Sequence, residues 1–237
     1  MKKTTKKLIA ALMCLLIIMP AGSVGAFAAD STVMAATPGQ VFVEKLVGGI
    51  FDGMIRGFGA LLKSNSLDTY DEYKAEIEKI KGRGIDKLVI DLRDNPGGDL
   101  KIVSKIADDI LPEGIITYTE DKKGNRETIY SDKNHLDMDI VVLVNSGSAS
   151  ASEVLTGALK DYGVADIVGT TTYGKGIVQT VYSFDDGSGI SLTTSKYFTP
   201  DGVCIHETGI EPTYYVEQSS DDAFDNQLEK AKELLSE

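Results

Sequence analysis

Two short stretches of the sequence carry side chains that could act in catalysis. The first, "NSGSASASE" (Asn145 to Glu153), lies between a strand-like apolar run and a helical pattern. A serine at such a junction has its hydroxyl at a fixed corner, and the N–H groups of the first helical turn can stabilise a developing oxyanion. Ser150 and Glu153 also form the capping-box pattern of a helix start. From these residues alone, Ser150 is either a nucleophile or a helix cap.

The second stretch is "VGTTTYGKGIVQ", Val168 to Gln179. Gly169, Gly174 and Lys175 have the spacing of a phosphate-binding P-loop, but Gly176 stands where that motif needs a hydroxyl for Mg²⁺. The residues after Lys175 are β-branched and aromatic, which is typical of a strand, whereas a P-loop is followed by a helix. We therefore expect no nucleotide binding, and Lys175 is either a solvated loop residue or a catalytic base.

A nucleophilic serine needs a base, and the usual one, histidine, is scarce in this chain. His135 lies in a polar stretch typical of a loop, and His206 fits a core or edge position better than a catalytic triad. Neither the Gly-x-Ser-x-Gly elbow nor a Ser-x-x-Lys motif occurs. The remaining option is a lysine distant in sequence and held neutral by burial.

The elements that must position these residues alternate between strand and helix. The run "DKLVIDL" predicts a buried strand, followed by the glycine turn "RDNPGGD" and a helix with an apolar face from Val103 to Ile110. This order is typical of a parallel α/β layer. A helix from Thr69 to Gly82 or Gly84 precedes it. Further strands ("DIVVLVN", "VADIVG"), two hairpins around "DKKGN" and "DDGSG", and a terminal helix in "SSDDAFDNQLEKAKELL" follow.

The first 28 residues have the form of a secretory signal peptide. Four lysines precede an apolar run, and Ala26-Phe27-Ala28 fits a cleavage signal. The run from Leu8 to Pro20 is short for a membrane span, although a retained anchor is the alternative. The formal net charge of −12 becomes more negative when those lysines are removed, which argues against nucleic acid as a partner. Cys204 is then a lone thiol in an exported chain, so we expect no internal disulfide.

Residues 29–64 are predicted to form a linker and an N-terminal helical arm. Between Val41 and Leu62, apolar residues recur at helical spacing, although five glycines weaken the pattern. Such a helix could pack on the core, on a second copy in a homodimer, or on a membrane surface. The chain is thus divided into a signal peptide (1–28), the linker and arm (29–64) and a core with a C-terminal helix (65–237).

Five motifs in sequence order together resemble the C-terminal processing serine peptidases, also called tail-specific proteases. They are "LVIDLRDNPGG", "NSGSASASE", "GTTTYGKGIVQ", "KYFTPDG" and "GIEPTYYV", within residues 69–237. The resemblance implies an α/β core of the ClpP/crotonase type with a mixed sheet, β-hairpins and flanking helices. It also implies an exported endopeptidase that cleaves proteins or peptides near their C-termini, without metal or cofactor.

In that family the catalytic pair is a Ser/Lys dyad. The resemblance implies Ser150 as nucleophile, Lys175 as base and Gln179 as the residue that orients the lysine. Backbone N–H groups of Ala151 and of the Gly97-Gly98 pair would form the oxyanion hole. A lysine acts as a base near neutral pH only if its pKa falls from about 10.4 by about three units, roughly 4 kcal/mol.

Burial beside Ile177 and Val178 is the expected cause of that fall in pKa. A straight strand would hold Lys175 and Gln179 about 13 Å apart, so their contact requires a bend, for which Gly176 is the obvious place.

The sequence departs from the family pattern in one respect. Family members usually carry a PDZ domain between a helical region and the catalytic core, but only "ALLKSNSLD" separates the predicted arm from the helix at Thr69. No stretch of PDZ length is present there. The alternative function is therefore a binding or scaffolding module of the same fold that has lost catalysis.

Overall fold

The computed structural model describes residues 54–55, 68–185, 187–220 and 224–237. The predicted signal peptide, the linker and most of the predicted helical arm lie outside these ranges. None of the helices in the described ranges has the length and apolar character needed to cross a bilayer.

The described chain alternates between strands and helices. In chain order the elements are β1 (Met54–Ile55), α1 (Asp68–Gly82), β2 (Lys87–Asp91), α2 (Leu100–Ile110), β3 (Gly114–Asp121), β4 (Arg126–Ser131), β5 (Asp139–Val144), α3 (Ala151–Asp161), β6 (Ala165–Gly169), β7 (Ile177–Ser183), β8 (Gly189–Phe198), β9 (Tyr214–Tyr215) and α4 (Asn226–Leu234). The predicted α/β core and both predicted hairpins are confirmed.

A five-stranded parallel sheet forms the centre of the molecule, in the order β1-β2-β5-β6-β9. Its strands are apolar on both faces, as parallel strands covered by helices must be. Leu88 and Ile90 of β2 pack with α1, α2 and α3 on one face. Val89, the residue between them, packs with Leu228 of α4 on the other. The core therefore has three layers, with α4 alone on its own side among the described helices.

The second sheet is antiparallel and joins the two hairpins in the order β4-β3-β8-β7. Within it, Tyr118 of β3 is paired with Phe198 of β8, and their rings stack with centroids 4.9 Å apart. The sequence predicted each hairpin but not their union, because the pairing joins strands that are distant along the chain. Parallel and antiparallel pairing thus lie in two separate sheets.

The predicted helix between Val41 and Leu62 is wrong at Met54 and Ile55. These two residues form a strand that pairs in parallel with Val89 and Ile90. Glycines surround them in the sequence, which disfavours a helix, and the edge of β2 offers main-chain hydrogen bonds in its place. The remaining residues of that predicted helix lie outside the described ranges.

Three loops that follow neighbouring parallel strands meet at one edge of the parallel sheet. They are Arg93–Gly98 after β2, Asn145–Ser150 after β5 and Thr170–Gly176 after β6. Ala149 N–H donates to Asn95 O, and Tyr173 N–H donates to Ser148 O, each at 2.9 Å. The carboxyl ends of parallel strands are where α/β folds place their ligand sites. All the predicted site residues except Gln179 lie at this edge.

Candidate active site

Ser150 stands at the sharp turn between β5 and α3, in a strained backbone conformation. Its φ is 57° and its ψ is −115°, whereas an ordinary helix cap has extended backbone angles. For a residue with a side chain, such a conformation costs on the order of 1–3 kcal/mol and is held only by surrounding structure. A helix cap does not require this strain, whereas strained backbone often occurs at catalytic residues.

Two of the other three serines of the same run, Ser148 and Ser152, are used structurally. Ser148 is fully buried and donates its hydroxyl to Leu92 O at 2.7 Å. Ser152 is also fully buried and donates to Asn95 O at 3.1 Å. Ser150 is half-buried, so its hydroxyl lies nearer to solvent than those two. Ser146 is exposed but lies farther from α3, whereas Ser150 directly precedes the first helical turn, so the positions favour Ser150 as the reactive serine.

Glu153 is the centre of a hydrogen-bond network that connects the β5–α3 and β6–β7 loops. Its side chain is fully buried. Oε2 accepts from the backbone N–H of Ser150 and of Lys175, both at 2.8 Å. Oε1 accepts from Thr172 Oγ1 at 2.7 Å and from Gly174 N–H at 2.6 Å. A carboxylate has the capacity for four acceptor contacts, and here four donors occupy it.

From the sequence alone, Glu153 is only the second residue of the capping box that begins at Ser150. The structure shows a wider role, because three of its four partners, on Thr172, Gly174 and Lys175, lie in a different loop. One sequence feature could have indicated this role. Glu153 is the only carboxylate between Ala151 and Leu159, a stretch of small and apolar residues that is buried throughout.

Lys175 is exposed, and the expected burial of this side chain is wrong for the described chain. The physical reason lies in its two glycine neighbours, which are both buried. Gly174 accepts from Glu207 N–H at 2.9 Å, and a Cβ added to Gly176 would lie 2.3 Å from His206 N. The main chain of this loop makes the buried contacts, so the lysine side chain remains on the solvent side.

Gln179 lies on β7 and is also exposed. The β7–β8 register shifts between Val178 and Gln179, where β8 has one extra residue, Thr194. The bend expected at Gly176 stays a prediction. β7 begins at Ile177, which confirms that a strand follows Lys175. Within the described ranges, the side chains of Lys175 and Gln179 make no hydrogen bond to each other. Their predicted contact is not formed in this state.

The three predicted oxyanion donors differ in their availability. Gly97 N–H already donates to Asn95 Oδ1 at 3.0 Å, so it is engaged within its own turn. A Cβ added to Gly97 would lie 2.5 Å from Ala149 O and 2.7 Å from Ala151 N. Gly97 thus allows the turn to lie directly against the start of α3. The N–H groups of Gly98 and Ala151 are the two that donate to no other described residue.

Arg93 holds the other end of this glycine turn and was missed by the sequence reasoning. Its guanidinium donates to both carboxylate oxygens of Asp91, at 2.9 and 2.7 Å, and to both of Asp225, at 2.9 and 2.8 Å. Burial on its own lowers the pKa of Arg93, but the hydrogen bonds and charges of the two carboxylates outweigh it and raise the pKa above its ordinary value. The side chain is 12% exposed.

The two histidines lie apart from any triad arrangement. His135 is exposed in a loop, as predicted. His206 is half-buried, and its Nε2 lies 3.8 Å from Glu207 Oε1. Cys204 is a free thiol. Over the described ranges, no group of three or more His, Cys, Asp and Glu side chains is arranged to hold a metal ion.

Two curated relatives match this chain over more than half of its length. A probable CtpA-like serine protease of Staphylococcus aureus (strain N315) is 46% identical over 149 residues, which cover 61% of this chain and 30% of the relative. A carboxyl-terminal-processing protease of Synechocystis sp. is 42% identical over 158 residues, which cover 66% of this chain and 37% of the relative. The chain thus spans about a third of the length of these relatives.

A solved structure and a family model agree with these relatives. The photosystem II D1 C-terminal processing protease superposes with a TM-score of 0.65 at 34% identity, covering 78% of this chain and 46% of that one. The model of peptidase family S41 matches residues 55–216. This match includes all the loops that form the site and confirms the resemblance inferred from the five motifs. The chain therefore belongs to peptidase family S41.

Proposed function

We propose that this chain is an exported serine endopeptidase that hydrolyses peptide bonds near protein C-termini through Ser150 and Lys175. The observation that carries the proposal is the shared acceptor, Glu153 Oε2, which binds the backbone N–H groups of both residues. The names of the relatives support the choice of substrate, since two of them are C-terminal processing proteases. The N-terminal sequence supports export.

The proposed reaction has two halves. Ser150 Oγ attacks the peptide carbonyl carbon while its proton passes to Lys175 Nζ. The carbonyl oxygen becomes an oxyanion that accepts hydrogen bonds from the N–H groups of Ala151 and Gly98. When this intermediate collapses, Lys175 gives the proton to the leaving amine. Water then attacks the acyl-Ser150 ester, with Lys175 accepting its proton. When this second intermediate collapses, Lys175 returns the proton to Ser150 Oγ, and the new carboxyl terminus is released.

Gly97 plays a different part in this proposal from the one that the family resemblance implied. Its N–H is held by Asn95, so it shapes the turn instead of donating to the oxyanion. Its missing side chain leaves room for the turn to lie against Ala149 and Ala151. The oxyanion donors proposed here are therefore Gly98 and Ala151.

The exposure of Lys175 sets a condition on this mechanism. A lysine amine acts as a base only where burial shields it from water. We propose that a bound polypeptide substrate covers Lys175 and excludes water from it. In that state Gln179 Oε1 accepts a hydrogen bond from Lys175 Nζ and orients it. Catalysis then depends on the substrate completing the site.

Active-site labelling with a fluorophosphonate probe tests the proposal. We expect covalent labelling at Ser150 in the purified mature protein, and loss of both labelling and peptide hydrolysis in Ser150→Ala and Lys175→Ala. The thermal stability of both variants should stay nearly unchanged. Lys196→Ala is the matched control, because Lys196 is an exposed lysine on the neighbouring strand β8. Residual cleavage in Ser150→Ala would contradict the proposed dyad.

A binding or scaffolding function is the second candidate, and the exposure of Lys175 is the observation that favours it. A protein of this kind would bind C-terminal peptides without cleaving them. The same labelling experiment separates the two functions, because a scaffold would not be labelled at Ser150. Titration with a peptide that ends in a free carboxylate, followed by mass spectrometry, would then show binding without products.

Export is tested independently of activity. When the full chain is produced in a bacterium, we expect the protein outside the cytoplasmic membrane with a new N-terminus after Ala28. N-terminal sequencing of the fractionated protein checks this expectation. A full-length chain confined to the cytoplasm would contradict it.

A further inference from the structure

The glycine turn beside Ser150 is attached to the C-terminal part of the chain through Arg93. The Arg93 guanidinium donates from Nη1 to Asp225 Oδ1 and from Nη2 to Asp225 Oδ2, at 2.9 and 2.8 Å. Nη1 also lies 3.1 Å from Gln218 Oε1 and 3.1 Å from Gln227 Oε1. All three acceptors lie beyond residue 216, where the match to the family model ends.

The arrangement is geometrically demanding. A guanidinium pairs with a carboxylate through two parallel hydrogen bonds, and here it forms such a pair with both Asp91 and Asp225. Side-chain exposure is 12% for Arg93, 13% for Asp91 and 26% for Asp225. A partly buried pair of this kind is screened little by solvent, so removal of one partner leaves the other charge unmatched.

Asp225 connects this cluster to the start of α4. It is the N-cap of that helix, and its Oδ1 accepts from Leu228 N–H at 3.0 Å. Leu228 packs with Val89 and Leu143 under the parallel sheet. Gln227 is held in the same way, since its Nε2 donates to Val216 O at 2.7 Å. Asp225 and Gln227 are thus fixed to the core, whereas Gln218 is an exposed acceptor.

Only four residues separate Arg93 from Gly98. Asp94 has a φ of 55°, and its N–H donates to Asn145 Oδ1 at 2.9 Å. Gly97 then packs against Ala149 and Ala151 at distances that a side chain would prevent. A shift of Arg93 is therefore transmitted to Gly98 over a short and tightly held segment. Catalytic rates are sensitive to displacements of this size, since a misplacement of about 1 Å can cost about 100-fold.

We infer that Asp225, supported by Gln218 and Gln227, is a positioning residue for the proposed hydrolysis. It holds Arg93, and through Arg93 it sets the position of the Gly98 N–H that faces the oxyanion. This inference rests on the proposed function for its catalytic consequence. The structural claim of the inference is that the C-terminal segment restrains residues 93–98. This claim does not depend on catalysis.

The substitution Asp225→Asn tests the inference with little disturbance of α4. Asparagine is as good an N-cap as aspartate, so the helix start is retained. The new amide nitrogen, however, faces a guanidinium N–H, and two donors cannot pair. We expect kcat to fall by about tenfold to 100-fold with KM changed less than about threefold. Glu229→Gln is the matched control, because it removes an exposed ion pair with Lys232 on the same helix.

A double-mutant cycle shows whether Asp225 acts through Arg93. Lysine cannot form the two bidentate pairs, so Arg93→Lys should lower kcat as well. If Asp225 acts through Arg93, adding Asp225→Asn to Arg93→Lys lowers kcat no further. Multiplying effects would overturn the inference, as would wild-type kcat in Asp225→Asn.

Hydrogen–deuterium exchange separates this inference from the proposed function. In Asp225→Asn, amides of residues 93–98 should exchange faster while those of β5 stay unchanged, and this holds for an active or an inactive protein. A uniform rise in exchange would show a general loss of stability and overturn the positioning role. If the wild-type chain neither hydrolyses peptides nor reacts with the fluorophosphonate, the proposed function fails and the exchange result still decides the restraint.

Discussion

Ser150 and Lys175 are connected through a single oxygen atom, because the backbone N–H groups of both donate to Glu153 Oε2 at 2.8 Å. Their nitrogens can therefore be no farther apart than twice that distance. The two residues come from different loops, one after β5 and one after β6. Glu153 thus fixes the main chain of the candidate nucleophile to the main chain of the candidate base.

The first prediction concerns the charge of Glu153. Glutamine in its place has one acceptor oxygen and one NH₂ group, which would face two donors whichever way the amide is turned. We expect Glu153→Gln to lower the free energy of unfolding by roughly 2–4 kcal/mol, since buried donors lose their acceptor. Chemical denaturation measures the loss, and fluorophosphonate labelling should disappear. Glu211→Gln, an exposed carboxylate, serves as the control, and equal stability of the two variants would contradict the role of Glu153.

The second prediction compares two glycines with similar φ angles. Gly97 has a φ of 88° and no room for a Cβ, whereas Gly124 has a φ of 82° and open space around it. Gly124→Ala should cost about 1 kcal/mol from the backbone angle alone. Gly97→Ala should cost at least about twice as much and abolish hydrolysis, because the turn must move away from Ala149. Urea denaturation of both variants checks the difference, which should vanish if close packing at Gly97 is unimportant.

The third prediction follows from the strained backbone of Ser150. Glycine tolerates a φ of 57° and a ψ of −115° better than any residue with a side chain. We therefore expect Ser150→Gly to be more stable than Ser150→Ala by about 1 kcal/mol, after allowing for the greater freedom of glycine in the unfolded chain. Both variants should be inactive. Thermal unfolding of the pair measures the strain, and a less stable glycine variant would argue against it.

The fourth prediction concerns alkaline pH. Burial, and then the negative charge of Asp109, raise the pKa of Tyr73 above its ordinary value of 10.0. Because the folded pKa is raised, the contribution of Tyr73 to stability is complete below about pH 10 and is lost above it, by up to about 1.4 kcal/mol per pH unit. Tyr73→Phe should thus lose less stability than wild type between about pH 10 and pH 12.

Tyr130 provides the control for this titration, because it is 65% exposed. Tyr130→Phe should follow the wild-type pH dependence in denaturation measured at several pH values. Parallel curves for wild type and Tyr73→Phe would show that the buried tyrosine does not limit alkaline stability.

The order of strands and helices in the core was predictable from the sequence. Apolar runs, helical periodicity and turn residues act over a few neighbouring positions, so "DKLVIDL" and "DIVVLVN" identified β2 and β5 without any tertiary information. The same holds for the two hairpins and for α4. The residue types and their settings drew attention to Ser150 and Lys175 one at a time, whereas their pairing as nucleophile and base was implied only by the resemblance to the family.

Long-range contacts account for what the sequence did not reveal. The bidentate ion pair between Arg93 and Asp225 joins residues 132 positions apart, and no local pattern indicates that they are partners. The pairing of β3 with β8 and the pairing of Met54 with Val89 likewise depend on which strand edges meet in the folded chain. The role of Glu153 was hidden because a capping box explains the same residue locally.

The candidate residues of the site could be recognised from residue types and spacing, because a serine at a helix start and a lysine between glycines are properties of short segments. Whether that lysine is shielded depends on what packs around it, and folding places Gly174 and Gly176 inside and Lys175 outside. Burial is a property of the assembled chain, because it arises from surfaces that lie far apart in sequence.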